Sequence, residues 1–116
     1  MTGSGETLIA RRSSVFELRL SPASAPELPA RFALDQNYPN PFNPLTVIRY
    51  QLPVGGKVTL KVYNLLGQEV QTLVDEIQDA GFKSVEWDAS GAPSGVYYYR
   101  INAGSFSQVR KMLLVK

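Results

Sequence analysis

The sequence contains no cysteine and no histidine in its 116 residues. Without cysteine there is no disulfide, no thiol nucleophile and no thiolate metal ligand. Without histidine the commonest general base and the commonest metal ligand are also missing. Carboxylates, lysines or tyrosines remain available for chemistry, but the composition argues against an enzyme. Long apolar runs are absent too. The longest clearly apolar run is Met112 to Val115, far short of the roughly 18–20 residues that a membrane-spanning helix needs. Arg11 and Arg12 precede no such run, so the first residues do not read as a secretory signal peptide; a signal for export would lie upstream or be of another kind. Acids are missing from the last part of the chain. After Asp88 there are Arg100, Arg110, Lys111 and Lys116 and no Asp or Glu, whereas Gln68 to Asp88 carries six acids and only Lys83. The net charge of +2 hides this gradient. A basic terminal segment attracts anionic partners or is simply a solvated strand face.

Proline is nearly absent from the second half. Seven of the eight prolines precede residue 54. Met1 to Glu6 reads as a leader. Ser14 to Leu20 alternates, with Phe16, Leu18 and Leu20 on one face, and is expected to be a remnant strand of something upstream. Ser21 to Arg31 is a Pro/Ala/Ser linker. Residues 1–31 are thus expected to be a leader, remnant strand and linker, and residues 32–116 the folded domain. The chain would then be the tail of a longer protein, with residues 7–20 a possible dimer contact.

From Phe32 onward short alternating segments are separated by turn residues. The apolar positions are Ile48, Tyr50 and Leu52; Val58, Leu60 and Val62; Val85 and Trp87; Tyr97, Tyr99 and Ile101; and Met112 and Leu114. Val70, Leu73, Val74 and Ile77 fit helical spacing as well as a strand. Pro53-Val54-Gly55-Gly56, Asn64 to Gly67, Gly81, Ala89 to Gly95 and Gly104-Ser105 are turns. Such spacing predicts an all-β fold, an immunoglobulin-like antiparallel β-sandwich of about seven strands.

Four features invite a functional reading. Asn37 to Pro44 carries three prolines, which predicts a rigid, polyproline-like clamp over the core or a docking site, with Tyr38 and Phe42 dipping inward. The carboxylates Asp75, Glu76, Asp79 and Asp88 do not match an EF-hand loop, and no metal or other cofactor is expected. Of Tyr97, Tyr98 and Tyr99, alternation buries two, and an exposed Tyr98 could stack on a sugar. The last residues, Arg110 to Lys116, read as a paired strand presented for recognition.

These elements resemble a known family. Gln36-Asn37-Tyr38-Pro39-Asn40-Pro41-Phe42-Asn43-Pro44 precedes Thr46 to Pro53. Val58 to Val70 follows, then Ala80-Gly81, Val85 to Asp88, Ser94-Gly95-Val96-Tyr97-Tyr98-Tyr99-Arg100, Ala103-Gly104 and Lys111 to Lys116. In this order they resemble the type A C-terminal sorting domain of type IX secretion cargo in Bacteroidetes. They are also similar to the Ig-like domain of the flagellar hook-capping protein. The sorting resemblance implies an address label, not an enzyme. Cargo would pass through the periplasm, then cross the outer-membrane translocon with its shuttle proteins, to be secreted or held at the cell surface. A sortase-like cysteine peptidase would remove the label, with release of the cargo or its joining to anionic lipopolysaccharide. The resemblance carries recognition roles to Pro39 and Pro41, to Gly95 and Tyr97, and to the terminal segment with Arg110, Lys111 and Lys116. It puts the cut in or near Ser21 to Phe32, a stretch holding Ser21, Pro22, Ala30 and Arg31. An Ig-like structural or carbohydrate-binding module at the end of a surface protein is the alternative reading.

Overall fold

Alternation of apolar and polar residues makes strands whose apolar faces can be buried only against another sheet. The protein, described here by a computed structural model of residues 27–116, does this with two antiparallel sheets and no helix. The strands are β1 (Ala33–Leu34), β2 (Leu45–Leu52), β3 (Gly56–Tyr63), β4 (Glu69–Gln78), β5 (Gly81–Asp88), β6 (Gly95–Ala103) and β7 (Phe106–Leu114). One sheet runs β1-β2-β5 and the other β4-β3-β6-β7. This is the Ig-like sandwich that the spacing predicts. The remnant strand and dimer contact expected within residues 7–20 lie outside the described residues.

The alternation places the core. Ile48, Tyr50 and Leu52 of β2 face Val58, Leu60 and Val62 of β3 and Tyr97, Tyr99 and Ile101 of β6. All nine are buried. Trp87 is buried as well, while Val85 is only partly so. Met112 and Leu114 are buried and Lys111 and Leu113 are not, as an alternating last strand requires. The β6–β7 hairpin closes through Gly104-Ser105, with Ala103 opposite Phe106. Gly104 has φ of 60°, a left-handed value that glycine adopts without cost.

The segment that fits two periods is a strand with two bulges. β4 pairs with β3, but the register slips between Leu60 and Lys61 and again between Val62 and Tyr63. Leu73 and Val70 are the residues left without a direct partner. Each bulge inserts one residue into a period of two. The spacing of Val70, Leu73 and Val74 therefore imitates a helix. Only Val74 is buried; Val70 and Ile77 are exposed.

The two long sides of the sandwich differ. On one side β1 and β7 are tied together across the sheets. Arg110 Nε donates to the Leu34 carbonyl (2.6 Å), and Gln36 Nε2 donates to the Lys111 carbonyl (2.7 Å). On the other side β4 and β5 are joined by the tight connection at Gly81, and the hydroxyl of Tyr50 in β2 donates across the sheets to Gln78 Oε1 (2.6 Å).

A buried polar network holds the closed side. The Tyr99 hydroxyl donates to the Asp35 carbonyl (2.6 Å) and accepts from the Asn37 amide (2.8 Å). Asn37 Nδ2 donates to Thr46 Oγ1 (2.9 Å) and to the Pro39 carbonyl (3.1 Å). Thr46 Oγ1 donates to that same carbonyl (2.9 Å), and Asn37 Oδ1 accepts from Gln36 Nε2 (2.7 Å). The buried polar side chains Asn37 and Thr46 are thereby satisfied, as burial demands.

Burial pushes the Tyr99 phenol up to about 12, because the phenolate would lose its hydration. A raised pKa favours the fold fully below the unfolded tyrosine value, near 10, and the benefit is lost as pH rises through about 12. Denaturant titrations should therefore show a loss of stability between about pH 10 and 12 that is smaller in Tyr99→Phe. At pH 7 the same variant should be less stable by about 1–3 kcal/mol, since the Asn37 amide loses its acceptor.

Candidate functional site

The proline-rich segment is where the two sheets are joined. Tyr38 and Val47 exchange both backbone bonds (2.9 and 2.8 Å), which places Tyr38 beside β2 in the first sheet. Four residues later Phe42 is in the second sheet. Its amide donates to the Leu113 carbonyl (3.0 Å), and the Val115 amide donates to its carbonyl (3.0 Å). Asn40 Oδ1 accepts from the Leu113 amide (3.0 Å). The segment is thus a strap between the sheets and not a continuous polyproline-like path. The peptide bonds Tyr38–Pro39, Asn40–Pro41 and Asn43–Pro44 are cis.

Phe42 dips into the sandwich as expected, but Tyr38 does not, being 74% exposed. Tyr38 lies directly opposite Val47, which sits on the outer face of β2 between the buried Thr46 and Ile48, and paired residues share a face. Phe42 meets Trp87 with ring centroids 5.7 Å apart, and Trp87 meets Tyr97 edge-on at 5.5 Å. This trio seals one end of the core.

Several candidate recognition residues converge on that end. Gly95 pairs with Leu114, which also pairs with Phe42 next to Pro41. The Lys116 amide donates to Ser94 Oγ (3.0 Å), and Lys116 Nζ donates to the Ser90 carbonyl (2.6 Å). Ser90 also gives its amide (3.0 Å) and its hydroxyl to Asp88 Oδ1. The Ser90 hydroxyl first, then its amide, and more weakly the Lys116 charge hold the Asp88 carboxyl below its ordinary range. Pro41, Gly95 and Lys116 therefore share one rim of the sandwich.

The remaining candidates have other surroundings. The Tyr97 ring is buried, and its hydroxyl donates to the Pro93 carbonyl (2.6 Å), four residues back. That bond resembles the tyrosine corner of Ig-type sandwiches. Pro39 supplies the carbonyl shared by Asn37 and Thr46. Arg110 turns toward the core side and bonds Leu34, so it closes an edge. Lys111 is exposed, opposite Tyr98 on the outer face. Ala30 and Arg31 are exposed, with the Arg31 carbonyl accepting from Gln51 Nε2 (2.9 Å); Ser21 and Pro22 lie outside the described residues. Beside the rim is a hollow of about 450 Å³, lined by Val70, Gln71, Trp87, Asp88, Ala92 and Pro93.

Sequence reasoning missed the roles of Asn37, Thr46 and Tyr99 as one network. Spacing along the chain does not link positions 37 and 99, whereas the pairing of the folded strands does. It also missed β1, too short for a period to be counted. Among the described residues no three Asp or Glu side chains are grouped to hold a metal, and Asp75 instead pairs with Lys57 (3.1 Å).

Gly95 has φ of 151°, where side-chain-bearing residues are rare, although an added Cβ would touch nothing within 4 Å. Gly95→Ala should thus be destabilising through the backbone alone, by about 1–3 kcal/mol, as thermal unfolding would measure. Phe42→Ala should cost about 3–5 kcal/mol and shift the fluorescence of Trp87, which loses a ring neighbour.

One solved structure agrees with this architecture. Dimeric latent PorU from Porphyromonas gingivalis has a region similar in fold, with a TM-score of 0.54 and 19% identity over 84% of this chain and 10% of that one. PorZ, a surface component of the type IX secretion system of the same organism, matches at a TM-score of 0.47 and 20% identity over 73% of this chain and 11% of that one. The chain thus spans about a tenth of the solved proteins it resembles. No curated protein matches it. The family model described as the secretion system C-terminal sorting domain matches residues 36–116, from the network around Asn37 to the last residue of the rim. The chain belongs to the secretion system C-terminal sorting domain family.

Proposed function

We propose that residues 32–116 are an address label for type IX secretion, which carries an attached cargo from the periplasm through the outer-membrane translocon. The family match over residues 36–116 carries this reading. The label acts by being recognised and does no chemistry of its own. Its partners are the translocon with its shuttle proteins and a sortase-like cysteine peptidase. The cargo ends secreted or at the cell surface, either released or joined to anionic lipopolysaccharide. No observation favours the use of the hook-capping Ig-like domain.

The rim is the recognition site in this reading. Pro41, Gly95 and Lys116 meet there, and Lys111 stands in β7, which leads to it. Pro39, Tyr97 and Arg110 support recognition indirectly, by holding the strap, the corner and the closed edge. Cleavage falls in the Ser21 to Phe32 stretch. Phe32 is held by stacking on Phe106 (5.2 Å), so a peptidase finds its accessible bonds on the N-terminal side of that contact, around the exposed Ala30 and Arg31.

Removing Lys111 to Lys116 outright would also remove Met112 and Leu114 from the core. The cleaner test is Lys111→Gln with Lys116→Gln, in a reporter fused ahead of residues 32–116 and expressed in a type IX-competent bacterium. The unmodified fusion should reach the medium or surface, and the double variant should be retained while melting at the same temperature. Retention of the unmodified fusion would sink the sorting reading. Equal export of both would remove the terminal lysines from the recognition site.

A further inference from the structure

The outer face of the second sheet has a composition that the fold does not require. In register, Lys61, Arg100 and Val109 form one row and Tyr63, Tyr98 and Lys111 the next. Leu65, from the β3–β4 turn, borders these rows, and a hollow of about 340 Å³ lies between Leu65, Tyr63, Tyr98, Arg100 and Val109. Leu65 is 68% exposed, its neighbour Leu66 82%, and Val109 47%. Leucines on a hairpin tip gain nothing from solvent.

The tip is held in one shape. Asn64 Oδ1 accepts from the amides of Leu66 and Gln68 (3.0 Å each), and the Asn64 amide donates to the Gln68 carbonyl (2.9 Å). The Asn64 Nδ2 group adds a bond to Gln68 Oε1 (2.8 Å). An apolar anchor held in place before binding loses little freedom when it binds.

The charge of the face is uneven. Lys57 is paired with Asp75 (3.1 Å) and Lys61 with Glu69 (3.3 Å). Arg100 and Lys111 are exposed and have no ion pair among the described residues. The Arg100 guanidinium stands 5.8 Å above the Tyr63 ring. A planar cation held on an aromatic face is suited to gripping a carboxylate.

We propose that this face binds an acidic protein segment, one whose carboxylates meet Arg100 and Lys111 and whose branched apolar side chains pack on Leu65 and Val109. A sugar fits less well, because Arg100 covers the Tyr63 ring face on which a sugar would stack. An anionic lipid surface fits less well, because Glu69 and Asp75 neutralise the cations of β3. This inference rests on the sorting reading and gives its recognition surface a second part, on the outer face of the sheet and joined to the rim through Lys111.

Two experiments decide it. In the first, the full chain is titrated with a short capped peptide bearing two glutamates between leucines, and NMR follows the Tyr63 and Tyr98 rings and the Arg100 side chain. The peptide should shift these signals, and its glutamine counterpart should do so much less. Arg100→Glu or Leu65→Asp should remove the response. Absence of any response overturns the inference. So does a response to sulfated dextran, or to phosphatidylcholine–phosphatidylserine vesicles, where the peptide gives none. In the second, the reporter fusion carries each of these two substitutions. Export should fall roughly tenfold at unchanged melting temperature, as loss of an interface anchor does. Normal export of both variants overturns the inference and leaves the sorting reading standing. If the unmodified fusion is not exported, the sorting reading fails, and the peptide titration still decides whether the face binds.

Discussion

The Tyr99 phenol is the contact on which the rest of the molecule depends. It stands in β6 of one sheet and bonds the backbone that leaves β1 of the other, donating to Asp35 and accepting from Asn37. A sandwich without disulfides has only packing and such bonds to fix how its sheets face each other. Area burial alone permits them to slide; a phenol with one donor and one acceptor position does not. Through Asn37 the same fix passes to Thr46 and to Pro39, and so to the start of the strap that ends at Phe42. One buried hydroxyl thus begins the chain of contacts that leads to the rim and the aromatic seal.

The two sides of the sandwich have been treated differently. The β7 side is covered from Arg110 onward, first by Leu34 and Gln36, then by Asn40 and Phe42. An outer strand left bare would offer its backbone to any other strand. From Arg110 to Leu114 the terminal strand therefore turns side chains, not a bare backbone edge, toward solvent. The β4 side uses other protection, two bulges and a row of charges that includes Asp75 and Glu76.

Much of the fold was legible because alternation is a local signal. Ile48, Val58, Tyr99 and Met112 could be placed inside from their neighbours alone. β4 was not, since bulges at Val70 and Leu73 break the period by which a strand is read. The site was legible only in part. Pro41, Gly95 and Lys116 stand far apart in the sequence, and their meeting follows from pairings of the first loop and of β6 with the end of β7. Tyr38 was misjudged because an aromatic beside proline suggests burial, whereas its backbone bonds to Val47 fix an outward side chain. Arg110 looked like part of a basic tail, yet its guanidinium is used on a carbonyl within the fold.

The strap has a further consequence for timing. The rim is assembled from Phe42 near the start of the fold and Leu114 at the end of its last strand. Contacts so distant in sequence form only after long loops have closed, and they are slow to form. A chain still being made, or one that has lost its last strand, has no rim to offer. Assembly of the rim is thereby coupled to completion of the fold, so an intact rim certifies that every strand is in place.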